Sequence, residues 1–206
     1  MQYNQGNISF TKILGNTLVS PDRLKMIKNM ISQIIVNKFG AINAAEIGVY
    51  KGGTSKLILE CLEKYTSKKN TFMIFDTFEG LPDSTKDVDL HKIGDFNDTS
   101  LEAVREYLSG YKNTNLTITK GIFPDSFPQD KKDMTFDFVH LDVDQYQSYK
   151  NCLEFFNTRM SEGGIIVCDD YGFCSCPGAK KAIDEFCMEK NIKYLQCETK
   201  QAILFF

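Results

Sequence analysis

FVHLDVDQY, residues Phe138–Tyr146, shows most plainly how this chain folds. An apolar run passes directly into two aspartates, Asp142 and Asp144, with one valine between them. Buried carboxylates are costly unless they are paired, hydrogen-bonded or bound to a cation. A strand that finishes in them therefore stops at a loop, at a helix cap or at a site. GIIVCDDYG, residues 164–172, repeats the pattern with Asp169 and Asp170, and TFMIFDTF, residues 71–78, carries Asp76 near its carboxyl end.

Helical periodicity fills the spaces between these runs. Ser20 and Pro21 open a helix whose apolar spacing continues to Gly40. AAEIGVY, residues 44–50, reads as a strand, and KGGTSKLILECLEKY, residues 51–65, as a helix opening at two glycines. Further helices are expected over 100–111, 149–160 (closed by Gly163–Gly164) and 178–190, a strand over 116–121, and a terminal hairpin over 193–206. Residues 79–100 are polar and irregular, as a working loop would be. Strands alternating with helices predict an α/β fold with a mainly parallel sheet, which binds ligands at the carboxyl ends of its strands. Asp76, Asp142, Asp144, Asp169 and Asp170 all fall at that edge.

Composition narrows the function. The chain has 206 residues, enough for one α/β core, with a net charge of −3 and no basic block. That argues against a nucleic-acid partner. No apolar run reaches the length of a membrane span, and the polar start MQYNQGNISF is unlike a signal peptide. Seven cysteines, several within apolar periodic segments, read as reduced thiols of a cytoplasmic protein. Cys174 and Cys176 form a CxC pair, but with two histidines in the chain and no second pair a structural zinc site is not expected.

Two constellations could carry chemistry. In EIGVYKGGTS, Glu46–Ser55, the spacing of Gly48, Gly52 and Gly53 differs from the GxGxxG of dinucleotide sites. An acidic residue before such a turn suits the amino-acid end of S-adenosylmethionine, and Asp76 at the next strand end suits ribose hydroxyls; a plain tight turn is the other reading. The second constellation is Asp142, Asp144, Asp169 and Asp170. Crowded carboxylates repel and hold protons unless a cation compensates, and an all-oxygen set points to Mg²⁺, with Mn²⁺ or Ca²⁺ as alternatives. His140 reads as a structural histidine, while His91 in the long loop is either a solvent residue or one that reaches a substrate.

Taken together, EIGVYKGGTS, FDTFEGLP, KGIFPDSFP, LDVDQYQS and GGIIVCDDYG followed by PGAKKAIDEF resemble, in this order from about residue 18 to 190, the macrocin O-methyltransferase family. The resemblance implies a class I S-adenosylmethionine methyltransferase fold. This is a Rossmann-like three-layer sandwich with a mostly parallel seven-stranded sheet and a C-terminal antiparallel hairpin. It also implies a lid segment and helix over 1–40 ahead of the methyltransferase domain, residues 41–206, and Mg²⁺-dependent methylation of a sugar hydroxyl. By motif, Asp142, Asp169 and Asp170 would hold the metal and Asp144 would be the general base. Donor contacts would come from Glu46, Gly48, Tyr50, Gly52, Gly53, Thr54, Ser55, Asp76, Thr77, Phe78, Gly121, Ile122, Phe123 and Asp142. The implied partner is a small sugar-containing acceptor, with self-association into a homo-oligomer left open. Two departures from the family pattern are Tyr50 in place of tryptophan and the ending QAILFF. A catechol-like phenol as acceptor, or a non-catalytic binding protein of the same fold, are the other readings.

Overall fold

The computed structural model describes residues 11–66, 68–82 and 84–206. The first ten residues of the expected 1–40 segment lie outside the described residues. After α1 (Thr11–Leu14) and α2 (Pro21–Asn37), the chain runs through β1 (Asn43–Ile47), α3 (Gly53–Tyr65), β2 (Asn70–Asp76), α4 (Leu101–Tyr107) and β3 (Thr114–Lys120). It continues through β4 (Phe136–Leu141), α5 (Tyr146–Asn157), β5 (Met160–Cys168), α6 (Pro177–Lys190), β6 (Tyr194–Gln196) and β7 (Ala202–Phe205). The seven strands form one sheet in the order β3-β2-β1-β4-β5-β7-β6. β1 to β5 are parallel. β7 inserts antiparallel between β5 and β6, which makes the terminal hairpin part of the sheet.

Strand alternation sorts the core into two layers. Ala44, Phe72, Ile74, Phe138 and Val167 face α2 and α3, where α2 contributes Leu24, Ile27, Ile31 and Ile34 from one helical stripe. Their sequence neighbours Ala45, Met73, Phe75, Val139 and Ile166 face α5 and α6. Every residue of β4 is buried, as a central strand covered on both faces requires. Burying each such aliphatic or aromatic side chain contributes about 1.5–3 kcal/mol. Among the described residues, no helix is long and apolar enough to cross a membrane.

Several boundaries differ from the sequence expectation. The helix expected over 149–160 starts at Tyr146 and stops at Asn157, and β5 takes Gly163 and Gly164 into the strand. The β4–β5 register shifts between Phe136 and Phe138. Gly163 has φ +74°, and a Cβ on Gly164 would stand 2.8 Å from the Ser161 carbonyl oxygen. These glycines therefore serve a strand irregularity and do not close a helix. α4 stops at Tyr107, short of Tyr111. β1 stops at Ile47, because the left-handed backbone of Gly48 (φ 84°) and Tyr50 (φ 52°) turns the chain away from the sheet.

The chain moves outward from β1 to β2 and β3, then returns to β4 on the other flank of β1. The crevice outside β1 and β4 is the switch point where ligands bind in sheets of this kind. The two connecting loops cross tightly there. Asp142 N–H donates to the Ile47 carbonyl at 2.9 Å, and a Cβ on Gly48 would lie 1.8 Å from the Asp142 carbonyl oxygen.

Candidate active site

A cavity of about 440 Å³ opens at this edge and is lined by residues following each of the first five strands. Gly48 and Tyr50 follow β1, Asp76 ends β2 with Thr77 just after it, and Gly121, Ile122 and Phe123 follow β3. Asp142, Val143 and Asp144 follow β4, and Asp170 follows β5. The N-terminal segment covers part of it with Thr17, Leu18, Val19 and Arg23, while the long loop adds Leu81, Pro82, His91, Asp95 and Phe96. Its size is that of a small-molecule site.

At one end, Asp76 holds the loops. Its Oδ2 accepts from the Val49 and Tyr50 amides at 2.7 and 2.9 Å. Its Oδ1 accepts from the Phe78 amide at 2.7 Å. Three amides on one carboxylate fix the turn after β1, yet two oxygens carry about four lone-pair sites, so capacity remains for a ligand hydroxyl. Above the start of α3, Gly53 N–H donates to the Asn16 carbonyl at 2.8 Å, and Thr17 and Thr54 hydroxyls meet at 3.1 Å.

Glu46 departs from its expected place. It does not line the cavity: its side chain points into the α2–α3 layer, fully buried. There Ser55 Oγ donates to Oε2, and His140 Nδ1 lies 3.0 Å from Oε1. Gly52, Gly53, Ser55 and Phe78 also lie outside the lining. Gly52 is the left-handed cap of α3, Gly53 packs under Asn16, and Phe78 joins the core. The other proposed donor residues, Gly48, Tyr50, Thr54, Asp76, Thr77, Gly121, Ile122, Phe123 and Asp142, do line it.

At the other end the carboxylates converge because β4 and β5 are paired. Asp142, Asp169 and Asp170 each offer an oxygen within 4.8 Å of the others. Burial, and then the charge of Asp170, raises Asp142 well above the ordinary carboxylate range. The same two causes push Asp144 up to about 8. Asp144 N–H donates to Asp170 Oδ2 at 3.0 Å, and Tyr149 O–H donates to the same oxygen at 2.8 Å. Asp169 sits behind the lining, bonded by Arg23 through Oδ2 and by Gln201 Nε2 through Oδ1 at 2.7 Å. Its remaining lone pairs leave room for a cation. A set of three carboxylates, Asp169 and Asp170 buried and Asp142 half-buried, fits a hard divalent ion, which would offset their repulsion.

Two lining residues from the N-terminal side carry no signal in the sequence. Arg23 and Thr17 reach the cavity only because α2 and the segment before it pack over α3. His91 is brought beside Asp144, with Nε2 3.9 Å from Oδ1. Cys176 donates its thiol proton to the same Oδ1 at 3.4 Å.

The strand order, the glycine turn after β1 and the acidic strand ends define a methyltransferase of the class I fold. More particularly, the chain belongs to the macrocin O-methyltransferase family, whose model matches residues 9–202. It is similar to the demethyldecarbamoylnovobiocin O-methyltransferase of Streptomyces niveus, with 28% identity over 83% of this chain and 67% of that one. It is also similar to the 8-demethyl-8-(2,3-dimethoxy-alpha-L-rhamnosyl)-tetracenomycin-C 4'-O-methyltransferase of Streptomyces olivaceus, with 26% identity over 81% and 66%. The chain thus spans about two thirds of the length of either relative. The solved structure of the O-methyltransferase NovP superposes with a TM-score of 0.77 at 25% identity, over 92% of this chain and 81% of that one.

Proposed function

We propose that this chain transfers the methyl group of S-adenosylmethionine to a hydroxyl of a sugar-containing small molecule, with Mg²⁺ as the resident metal. The observation that carries the reading is the convergence of Asp142 and Asp170, with Asp169 behind them, at one end of a cavity whose other end holds Asp76 and the glycine turn. The rhamnosyl group in the name of the tetracenomycin relative supports a sugar acceptor.

When bound, Mg²⁺ would supply Lewis acidity that makes an acceptor hydroxyl easier to deprotonate. Asp142, Asp169 and Asp170 would hold it. Asp144 stands beside them on a left-handed turn (φ 56°), with an oxygen lining the cavity where it can accept the hydroxyl proton. Gly48, Tyr50, Asp76 and Thr77, with Gly121–Phe123, form the donor end and fix its direction toward the carboxylates. Leu18, Val19 and Arg23 cover the cavity from the N-terminal side, which supports a covering role for the 1–40 segment. Holding both reactants at near-attack distance supplies up to about 7–11 kcal/mol of the barrier reduction.

The test is a transfer assay with radiolabelled S-adenosylmethionine against glycosides, nucleotide sugars and catechols, each with Mg²⁺ and with a chelator. Labelled sugar product that disappears with the chelator is expected. Catechol as the sole acceptor, or transfer indifferent to the chelator, would remove the corresponding part of the reading.

A further inference from the structure

We propose a second metal site at the same cavity, formed by His91 Nε2, Asp144 Oδ1 and Cys176 Sγ and selective for Zn²⁺ and similar thiophilic divalent ions. The three atoms lie within 4.8 Å of one another. Cys176 Sγ is 3.4 Å from Asp144 Oδ1, and His91 Nε2 is 3.9 Å from it. Bond lengths of tetrahedral zinc sites place such donors roughly 3.3–3.6 Å apart. Two sides of the triangle are within about half an ångström of those separations, and the third, between His91 Nε2 and Cys176 Sγ, is no longer than 4.8 Å.

Each donor comes from a different element and is held there. Asp144 is tied through its amide to Asp170. Cys176, the cap of α6, is tied through its amide to the Phe173 carbonyl at 3.0 Å. His91 has its other ring nitrogen 3.3 Å from Asp95 Oδ2, and its ring packs 5.2 Å from that of Phe96. A carboxylate on the distal nitrogen is the arrangement that orients a metal-bound histidine and fixes its tautomer. All three residues line the cavity, so a fourth coordination position faces solvent or ligand.

The two neighbouring sites differ in chemistry. Asp142, Asp169 and Asp170 offer oxygen alone, which suits a hard ion, whereas nitrogen, sulfur and one oxygen suit zinc or cobalt. Cys174, the other member of the CxC pair, is exposed and outside the lining, so the pair does not chelate as a unit. Binding releases the thiol proton that now points at Asp144. Occupancy also takes the Asp144 oxygen assigned to proton transfer, so the ion blocks turnover. That last consequence rests on the methyltransferase reading; the binding does not.

Co²⁺ titration of the full chain in excess Mg²⁺, followed by absorption spectroscopy, tests the site. One equivalent of bound Co²⁺ with a thiolate-to-cobalt charge-transfer band is expected. The band should persist in Cys174→Ser and vanish in Cys176→Ser, and His91→Gln should weaken Co²⁺ binding by more than about tenfold. Circular dichroism verifies that each variant is folded, and His91→Gln, on a loop, carries the test if Cys176→Ser is not. A band that survives Cys176→Ser, an unchanged affinity in His91→Gln, or Co²⁺ displaced by Mg²⁺ would overturn the proposal. Because the readout is optical, it tests the site even in a protein that transfers no methyl group.

Discussion

Replacing Asp76 with alanine removes the acceptor of three backbone amides, those of Val49, Tyr50 and Phe78, at 2.7, 2.9 and 2.7 Å. A hydrogen bond to a charged acceptor contributes roughly 1.5–3 kcal/mol. The carboxylate is only half-buried, and water entering from the cavity can recover part of each lost bond. The expected loss is therefore about 2–4 kcal/mol and not the full sum. For a domain of this size each kcal/mol moves Tm by about 2–4 °C, so thermal unfolding should shift down by roughly 5–15 °C. The same variant should bind S-adenosylhomocysteine at least about tenfold more weakly in calorimetry, equivalent to one lost hydrogen bond. A Tm change below about 2 °C would show that the turn after β1 holds without Asp76. Loss of stability with undiminished affinity would show that the carboxylate serves the loops alone.

Asp144→Asn should retain metal and donor binding while turnover falls by about 10²–10⁴-fold, measured as initial rates at saturating Mg²⁺; a parallel loss of metal affinity would make Asp144 a ligand. Asp142→Ala should weaken Mn²⁺ binding in calorimetry, with activity partly restored by excess metal, and an unchanged metal affinity would remove it from the site. Gly48→Ala places a Cβ 1.8 Å from a backbone oxygen at φ +84°. Its denaturant midpoint should therefore report a loss of about 3 kcal/mol or more, and near-wild-type stability would contradict the close crossing of the two loops.

The fold is legible where burial imposes a simple pattern on composition. β4 and the second half of β5, Ile165–Cys168, read as strands because positions covered on both faces are mostly apolar. The carboxylates read as a site because those two runs end alike and parallel neighbours bring their ends together. Glu46 is not legible: the sequence places it on a strand before a glycine turn, but its direction depends on which strand pairs with β1. Glu46 stands opposite His140 across the β1–β4 ladder, a register set by sheet order that no local spacing encodes. Gly163 and Gly164 mislead for a related reason. Glycines after a helix suggest a cap, whereas here they accommodate a register shift visible only once β4 is alongside. Cys176 reads as half of a pair, yet it faces the cavity while Cys174 faces solvent, because α6 begins at Pro177 immediately after it.

The misplaced Glu46 explains why a polar row crosses an otherwise apolar sheet. From α3, Ser55 meets Glu46; across the ladder Glu46 meets His140. The distal His140 nitrogen stands 3.6 Å from Asp169 Oδ1, a close approach without a hydrogen bond. Asp169 is then bonded by Arg23 on α2 and by Gln201 just before β7. Glu46, His140, Asp169 and Gln201 are all fully buried. Deleting one member of such a row would leave another without its partner, a loss of about 3–5 kcal/mol where the group is charged. A one-residue slip of β1 against β4 would carry the same cost, because it turns Glu46 away from His140 to the opposite face. The row therefore ties the register of the central strands to the position of one carboxylate in the acidic cluster. Arg23 supplies the counter-charge from the very segment that covers the cavity, so that cover and the acidic end share a contact. The residue whose position suggested a donor anchor meets the opposite end of the cavity, through a histidine the sequence marked as structural.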